Sequence, residues 1–110
     1  MAKVTLELPP STNTTYRHSG HFVYMLPAAR VWKNMATLQL KQFRGVEPTI
    51  LTIRYYLKRD RDVDGSHKII LDAMQDAEVV ANDSSIVELH LYKYVDKSNS
   101  RVEVEWQTGL

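Results

Sequence analysis

Two carboxylates two residues apart, Asp62 and Asp64, sit in the densest run of charge in the chain, with Lys68 four residues beyond the second and Asp72 four beyond that. The run leading into them, residues 49–57, has the period of extended chain, in which residues two apart point the same way. Both carboxylates are therefore expected at one place. Like charges that close raise each other's cost of ionising unless a cation relieves them. The pair is thus either a solvated turn with a helix cap or the seat of a metal. Asn82-Asp83 returns later in the chain with further candidate oxygen ligands, and Lys68 and Asp72 flank the mouth of the pair on one helical stripe. Asp72 itself reads as a surface helix residue or a partner of Lys68 rather than a ligand. With no cysteine anywhere, the expected ion is hard and oxygen-bound, magnesium first and manganese second. His18 and His21 lack the third ligand or helical spacing that a metal pair needs.

The elements that must position these groups follow from periodicity. Val4, Leu6 and Leu8 alternate with polar residues as a short strand, stopped by Pro9-Pro10 because proline supplies no ladder donor. A loop is expected to about Gly20. Its Ser11, Asn13, Tyr16, Arg17 and His18 suit the holding of phosphate oxygens, and equally suit a turn whose hydroxyls satisfy its own backbone. Residues 28–43 have a helical period, with Val31, Trp32, Met35, Ala36, Leu38 and Phe43 on a broad apolar side and Arg30, Lys33, Asn34, Thr37, Lys41 and Arg44 on the other. Gly45 ends that helix. The strand 49–57 turns Leu51, Ile53, Tyr55 and Leu57 one way and Arg54, Tyr56 and Lys58 the other. After the acidic loop, Ile69, Ile70, Ala73, Met74 and Ala77 mark a second helix, with Asp64 or Ser66 placed to cap it. Residues 86–95 alternate Val87, Leu89, Leu91 and Val95 against Glu88, His90, Tyr92 and Tyr94. A turn at 96–100 leads into a last strand with Val102, Val104 and Trp106 on its apolar face. The order β-α-β-α-β-β, with two helices available to cover one face of a small mixed sheet, is an α+β arrangement.

At 110 residues and 44% hydrophobic the chain is expected to be one domain, residues 1–110, with a modest core. No apolar run approaches the roughly 20 residues of a membrane span. No secretory pattern opens it, and the lack of cysteine fits a reducing cytoplasm. Net charge is only +1, but it is unevenly spread: residues 1–59 carry nine Lys/Arg against two Asp/Glu, and 60–110 carry five against eleven. A basic half joined to an acidic cluster suits a polyanion held around a metal site. Solvated helix faces usually mix signs, so the acid-free stripe on the first helix is a candidate DNA-backbone contact, as are Arg59 and Arg61 beside the acids.

Two separated stretches together resemble a known family. Asp62-Val63-Asp64-Gly65-x-x-Lys68-x-x-x-Asp72-Ala73, followed by Asn82-Asp83-Ser84-Ser85-Ile86-Val87, is similar to the RusA family of Holliday junction resolvases, endonucleases that cut four-way DNA junctions. Leu8-Pro9-Pro10-Ser11-x-Asn13-x-x-Tyr16-Arg17-His18 resembles the same family's opening motif. The resemblance implies a magnesium-dependent homodimer acting on branched DNA, with an acidic cluster at Asp62, Asp64 and Asp83 and a catalytic lysine at Lys68. The chain departs from the family in having Gly65 where Asn commonly follows the second Asp. Resolving a junction takes cuts in two strands related by approximate two-fold symmetry, and each chain offers one acidic cluster, which also points to two copies. The aromatic side of residues 86–95, with Tyr92 and Tyr94, and the segment Phe22-Val23-Tyr24-Met25 are the expected interface surfaces. The rival reading is a nucleic-acid-binding module with a structural ion. A small-molecule phosphohydrolase is disfavoured by the lack of a glycine-rich phosphate loop.

Overall fold

A computed structural model describes residues 2–10, 16–19, 22–63 and 65–108, with side chains left undescribed at 16–19 and 22–24. The elements are β1 (Ala2–Leu6), β2 (Tyr16–Ser19), β3 (Phe22–Met25), α1 (Pro27–Leu40), β4 (Ile50–Leu57), α2 (His67–Asp76), β5 (Glu88–Val95) and β6 (Arg101–Gln107). Four strands form one mixed sheet in the order β1-β6-β4-β5, with β4 and β5 parallel and the other pairs antiparallel. This is the expected α+β arrangement. It gains a separate two-stranded hairpin of β2 and β3 where a loop was expected to run to about Gly20. The signal for it was present: Gly20-His21 separates two runs containing aromatic and β-branched residues, the spacing of a tight hairpin.

One face of the sheet is the core. Val4 and Leu6 from β1, Val102, Val104 and Trp106 from β6, and Leu51, Ile53, Tyr55 and Leu57 from β4 are all buried there. The two helices cover it, α2 with Ile69, Ile70, Ala73 and Met74. Proline at the first turn of α1 fits because its missing N–H would have no partner there. Trp32 Nε1 donates to Glu7 O at 2.9 Å, tying α1 to the end of β1.

α1 corrects the sequence reading. Its buried stripe is Ala29, Trp32, Ala36 and Leu40, whereas Val31, Met35 and Leu38 stand 58–63% exposed. At about 100° per residue those three lie roughly 105–165° round the helix from the middle of the stripe, so an apolar count too wide for one contact was split into two faces.

β5 departs further. All eight of its residues are exposed. The register sets Leu51 beside Leu89, Ile53 beside Leu91 and Leu57 beside Val95, so these side chains share the core face, but the helices stop covering it at β4. The opposite face of the sheet is a half-buried polar ladder. Arg54 bonds Glu105 at 2.8 Å, Arg101 bonds Glu103 at 3.0 Å and lies 3.8 Å over the Tyr56 ring, and Tyr56 stacks on Tyr94 at 5.1 Å. The Arg101 hydrogen bond, against a small burial penalty, holds the Asp96 carboxyl below its usual range. No helix among the described residues is long and apolar enough to cross a membrane.

Candidate active site

β4, α2 and β5 form a parallel βαβ unit, and the acidic segment 58–66 is the link from the carboxyl end of β4 to the N-terminus of α2. That is where open sheets leave room for a ligand, since strand ends and helix N-termini both point their unused backbone groups there. The link is anchored at its start. Asp96 N donates to Leu57 O at 2.7 Å, and Lys93 of β5 meets Asp60 at 2.9 Å. At its far end Ser66 N and Ser66 Oγ both donate to Val63 O, at 3.1 and 2.6 Å, and the Val63 side chain packs on the core.

Ser66 therefore takes the cap position of α2 without acting as the expected cap: its hydroxyl turns back to Val63 and accepts nothing from the helix. Gly65 has φ +77°, the left-handed region that glycine enters freely and asparagine tolerates better than other residues. The exchange of Asn for Gly here keeps the backbone turn and removes only an amide.

Asp62 stands exposed on this link, and Lys68 is exposed in the first turn of α2. Asp64 lies outside the described residues. Asp72, half-buried, continues the Lys68 stripe towards Gln75. Asp83 opens a short 3-10 turn, Asp83–Ser85, and its N–H donates to Gln75 Oε1 at 3.1 Å, which pins it against the C-terminal half of α2. Asn82 is already committed: its Oδ1 accepts from Ser84 N at 3.0 Å and its carbonyl from Ser85 Oγ at 2.8 Å. Among the described residues no three His, Cys, Asp or Glu gather closely enough to hold a metal ion. Asp62 lies on the link before α2, and Asp83 is tied to α2 through the Gln75 side chain.

Two residues that sequence reasoning assigned to the core or passed over support the site. Gln75 places Asp83, as described. Tyr55, 1% exposed, brings its hydroxyl under the link, and burial pushes its pKa up to about 12 against the opposing pull of Ser66 and Arg61. Ser66 is close enough to favour the ionised phenol, yet the hydroxyl completes no hydrogen bond, because the serine proton is directed to Val63 O. Alternation alone could place Tyr55 inward, but not under this loop.

The candidate DNA contacts divide. Arg30 and Lys41 are exposed on or just after α1, and Arg59 is exposed on the acidic link, with no ion pair among the described residues. Arg61 is half-buried above Tyr55. Lys33 does have a balancing acid, contrary to the sequence reading: its Nζ lies 3.1 Å from Asp76 of α2, and Arg44 pairs with Glu78 at 2.6 Å. A helix read by itself hides the charges its neighbour brings. Ser11 and Asn13 lie outside the described residues, and Tyr16, Arg17 and His18 are placed on β2 by their backbone, with their side chains outside the description.

Comparison with known proteins agrees with this geometry. The family model described as endodeoxyribonuclease RusA matches residues 7–107, which takes in both motifs and every element from α1 to β6. A crossover junction endodeoxyribonuclease RusA of Aquifex aeolicus (strain VF5) is 30% identical over 102 residues, covering 87% of this chain and 81% of that protein. A match of that extent, carrying the acids, the lysine and the strand–link–helix that presents them, means that the chain belongs to the RusA endodeoxyribonuclease family.

Proposed function

We propose that the protein is a structure-selective endonuclease that resolves four-way DNA junctions in recombination and repair, working in the cytoplasm as a two-fold homodimer. The observation that carries this reading is the family match across residues 7–107, over a fold whose most charged loop sits at the carboxyl end of a central strand.

The donor chemistry suits a hard divalent ion, Mg2+ first and Mn2+ second: carboxylate oxygens only, no thiol in the chain, and a buried phenol without a partner supporting the loop that carries two of the acids. Asp62, Asp64 and Asp83 would hold it. When bound, such an ion lowers the pKa of water and offsets charge on a phosphate under attack. The chain's own residues do the rest. Lys68, exposed at the first turn of α2, meets a scissile phosphate oxygen as its charge grows, where a fixed cation is worth most. The N-terminus of α2, beside Lys68, adds the positive end of the helix dipole. Ser66 ties the loop backbone to Val63, whose side chain packs on the core, and this anchors the end of the link at α2. Arg30, Lys41 and Arg59 hold the flanking backbone without reading sequence, as phosphate contacts do.

The test is incubation of the purified protein with a synthetic four-way junction and a linear duplex of the same sequence, with Mg2+ and with chelator. Paired nicks in the junction alone, dependent on the ion, are expected. Binding without cleavage under every divalent ion would replace this reading with a nucleic-acid-binding module.

A further inference from the structure

The described residues leave nine large hydrophobic side chains exposed, and six of them lie on or beside one strand: Val87, Leu89, Leu91, Tyr92, Tyr94 and Val95, each 37–61% exposed. That strand, β5, is an edge. It pairs with β4 on one side, and no described strand pairs with its other side.

The two edges of the sheet are treated differently. β1 is five residues long, alternates buried and exposed positions, and presents Lys3, paired to Glu103, at its surface. Short length and an outward lysine are the usual protection of an edge against a second strand. β5 is eight residues long, has no proline, and its one lysine, Lys93, is folded back onto Asp60 at 2.9 Å. An apolar, unprotected edge exposed on both faces is what a strand looks like when its covering partner has been removed.

We propose that β5 is the seat of the homodimer, pairing antiparallel with β5 of a second copy about a two-fold axis at Leu91. The proposal rests on the homodimer reading above and goes beyond it in naming the surface and the register. Charge helps to select the direction. Glu88 begins the strand, with His90 3.2 Å from its carboxylate, and Lys93 lies towards the other end, so a parallel copy in register would set Glu88 against Glu88, whereas an antiparallel copy keeps the two carboxylates apart. Charge also selects the register. With the axis at Leu91, Leu91 faces its own copy, Val87 faces Val95 and Leu89 faces Lys93, so no like charges are opposed on the face that the helices leave bare. Moving the axis to Tyr92 opposes Glu88 and Asp96, and moving it to His90 opposes two imidazoles. DNA is a poor occupant for a surface that is mostly apolar and begins with a carboxylate.

The area is sufficient. At these exposures the six side chains leave on the order of 500 Å² open, most of the roughly 800 Å² that each partner contributes to a stable pair. The joined sheet would have eight strands, and the two β4 carboxyl ends, each starting an acidic link, would stand about 30 Å apart at opposite ends of it, from about 3.3 Å per residue along the strand and about 4.8 Å per strand across.

The chain has no cysteine, so single Leu91→Cys, His90→Cys and Tyr92→Cys variants of the whole protein report the axis directly. Residues opposed across a two-fold axis are about 4.5–5.5 Å apart at Cα, within disulfide range. Under mild oxidation Leu91→Cys is expected to run as a covalent dimer on a non-reducing gel, while Leu38→Cys, on the exposed stripe of α1, stays monomeric. Light scattering of the unmodified protein is expected to give twice the chain mass, halved by Leu91→Glu with the far-ultraviolet dichroism unchanged. A wild-type monomer would overturn both the dimer and this surface. A wild-type dimer in which none of the three β5 cysteines cross-links would overturn the β5 surface and leave the homodimer standing. Cross-linking at His90 or Tyr92 in place of Leu91 would overturn the register.

Discussion

Lys33 and Lys41 look alike on the first helix, and the structure separates them. Lys33 Nζ sits 3.1 Å from the Asp76 carboxylate with its side chain 24% exposed, while Lys41 is exposed and meets no acid among the described residues. Each phosphate neutralised by a protein cation contributes about −0.9 to the slope of log affinity against log salt. Losing one such contact makes binding fall about three- to fourfold less between 50 and 200 mM salt. Lys41→Ala and Arg30→Ala are each expected to flatten the slope by that single step. Lys33→Ala is expected to leave it unchanged, because the charge is already neutralised within the protein, and to cost at most about 1 kcal/mol of stability as a partly exposed pair. Asp76→Asn reverses the logic: it frees Lys33 for the DNA and should steepen the slope by up to about 0.9. The assay is fluorescence anisotropy with a labelled four-way junction in chelator, so that binding is read without cleavage, over a salt series for the four variants. A Lys33→Ala slope as flat as that of Lys41→Ala would refute the reasoning, since the ion pair would then open on the DNA.

Asp64→Asn is expected to abolish junction cleavage while leaving binding in chelator within about twofold, since phosphate contacts and not this carboxylate carry affinity; full cleavage by the variant would remove Asp64 from the site. Lys68→Ala should lower the single-turnover rate at saturating junction by about 10²–10³, the usual loss for one transition-state charge contact, and a near-normal rate would return Lys68 to the solvent face of α2. Tyr55→Phe should be about 1 kcal/mol more stable at neutral pH, because it removes a buried hydroxyl that completes no hydrogen bond. Its phenol has a folded pKa of about 12 against an ordinary 10, so the wild type keeps its full stability below pH 10 and loses up to about 2–3 kcal/mol as pH rises from 10 through 12, a loss the variant should lack in urea unfolding at pH 9 and 11.5. Gly65→Asn should retain most of the stability and Gly65→Ala should lose about 1 kcal/mol, read by thermal melting, because φ is +77° there; equal melting of Ala and Gly would mean that the turn relaxes.

Features that depend on neighbours along the chain were legible before folding. Strand alternation placed Leu51, Ile53, Tyr55 and Leu57 inward, the helical period found α2 and its face, and the charged run fell between them, with Asp62 on the strand-to-helix link and Lys68 in the first turn of α2. These follow from backbone geometry, which repeats every two or 3.6 residues whatever lies opposite. Which apolar residues are covered, and which charges are paired, depends on how the elements pack. Val31, Met35 and Leu38 read as part of one apolar side of α1, and residues 86–95 showed an apolar side by alternation, but burial depends on how far the helices reach across the sheet, and they stop at β4. The basic stripe of α1 read as acid-free because Asp76 and Glu78 belong to another element forty residues away in sequence and a few ångströms away in space. For the same reason Gln75 and Tyr55 could not be seen as supports of the site: one holds Asp83 and the other lies under the link only after α2 has packed on the sheet, and no periodicity records that.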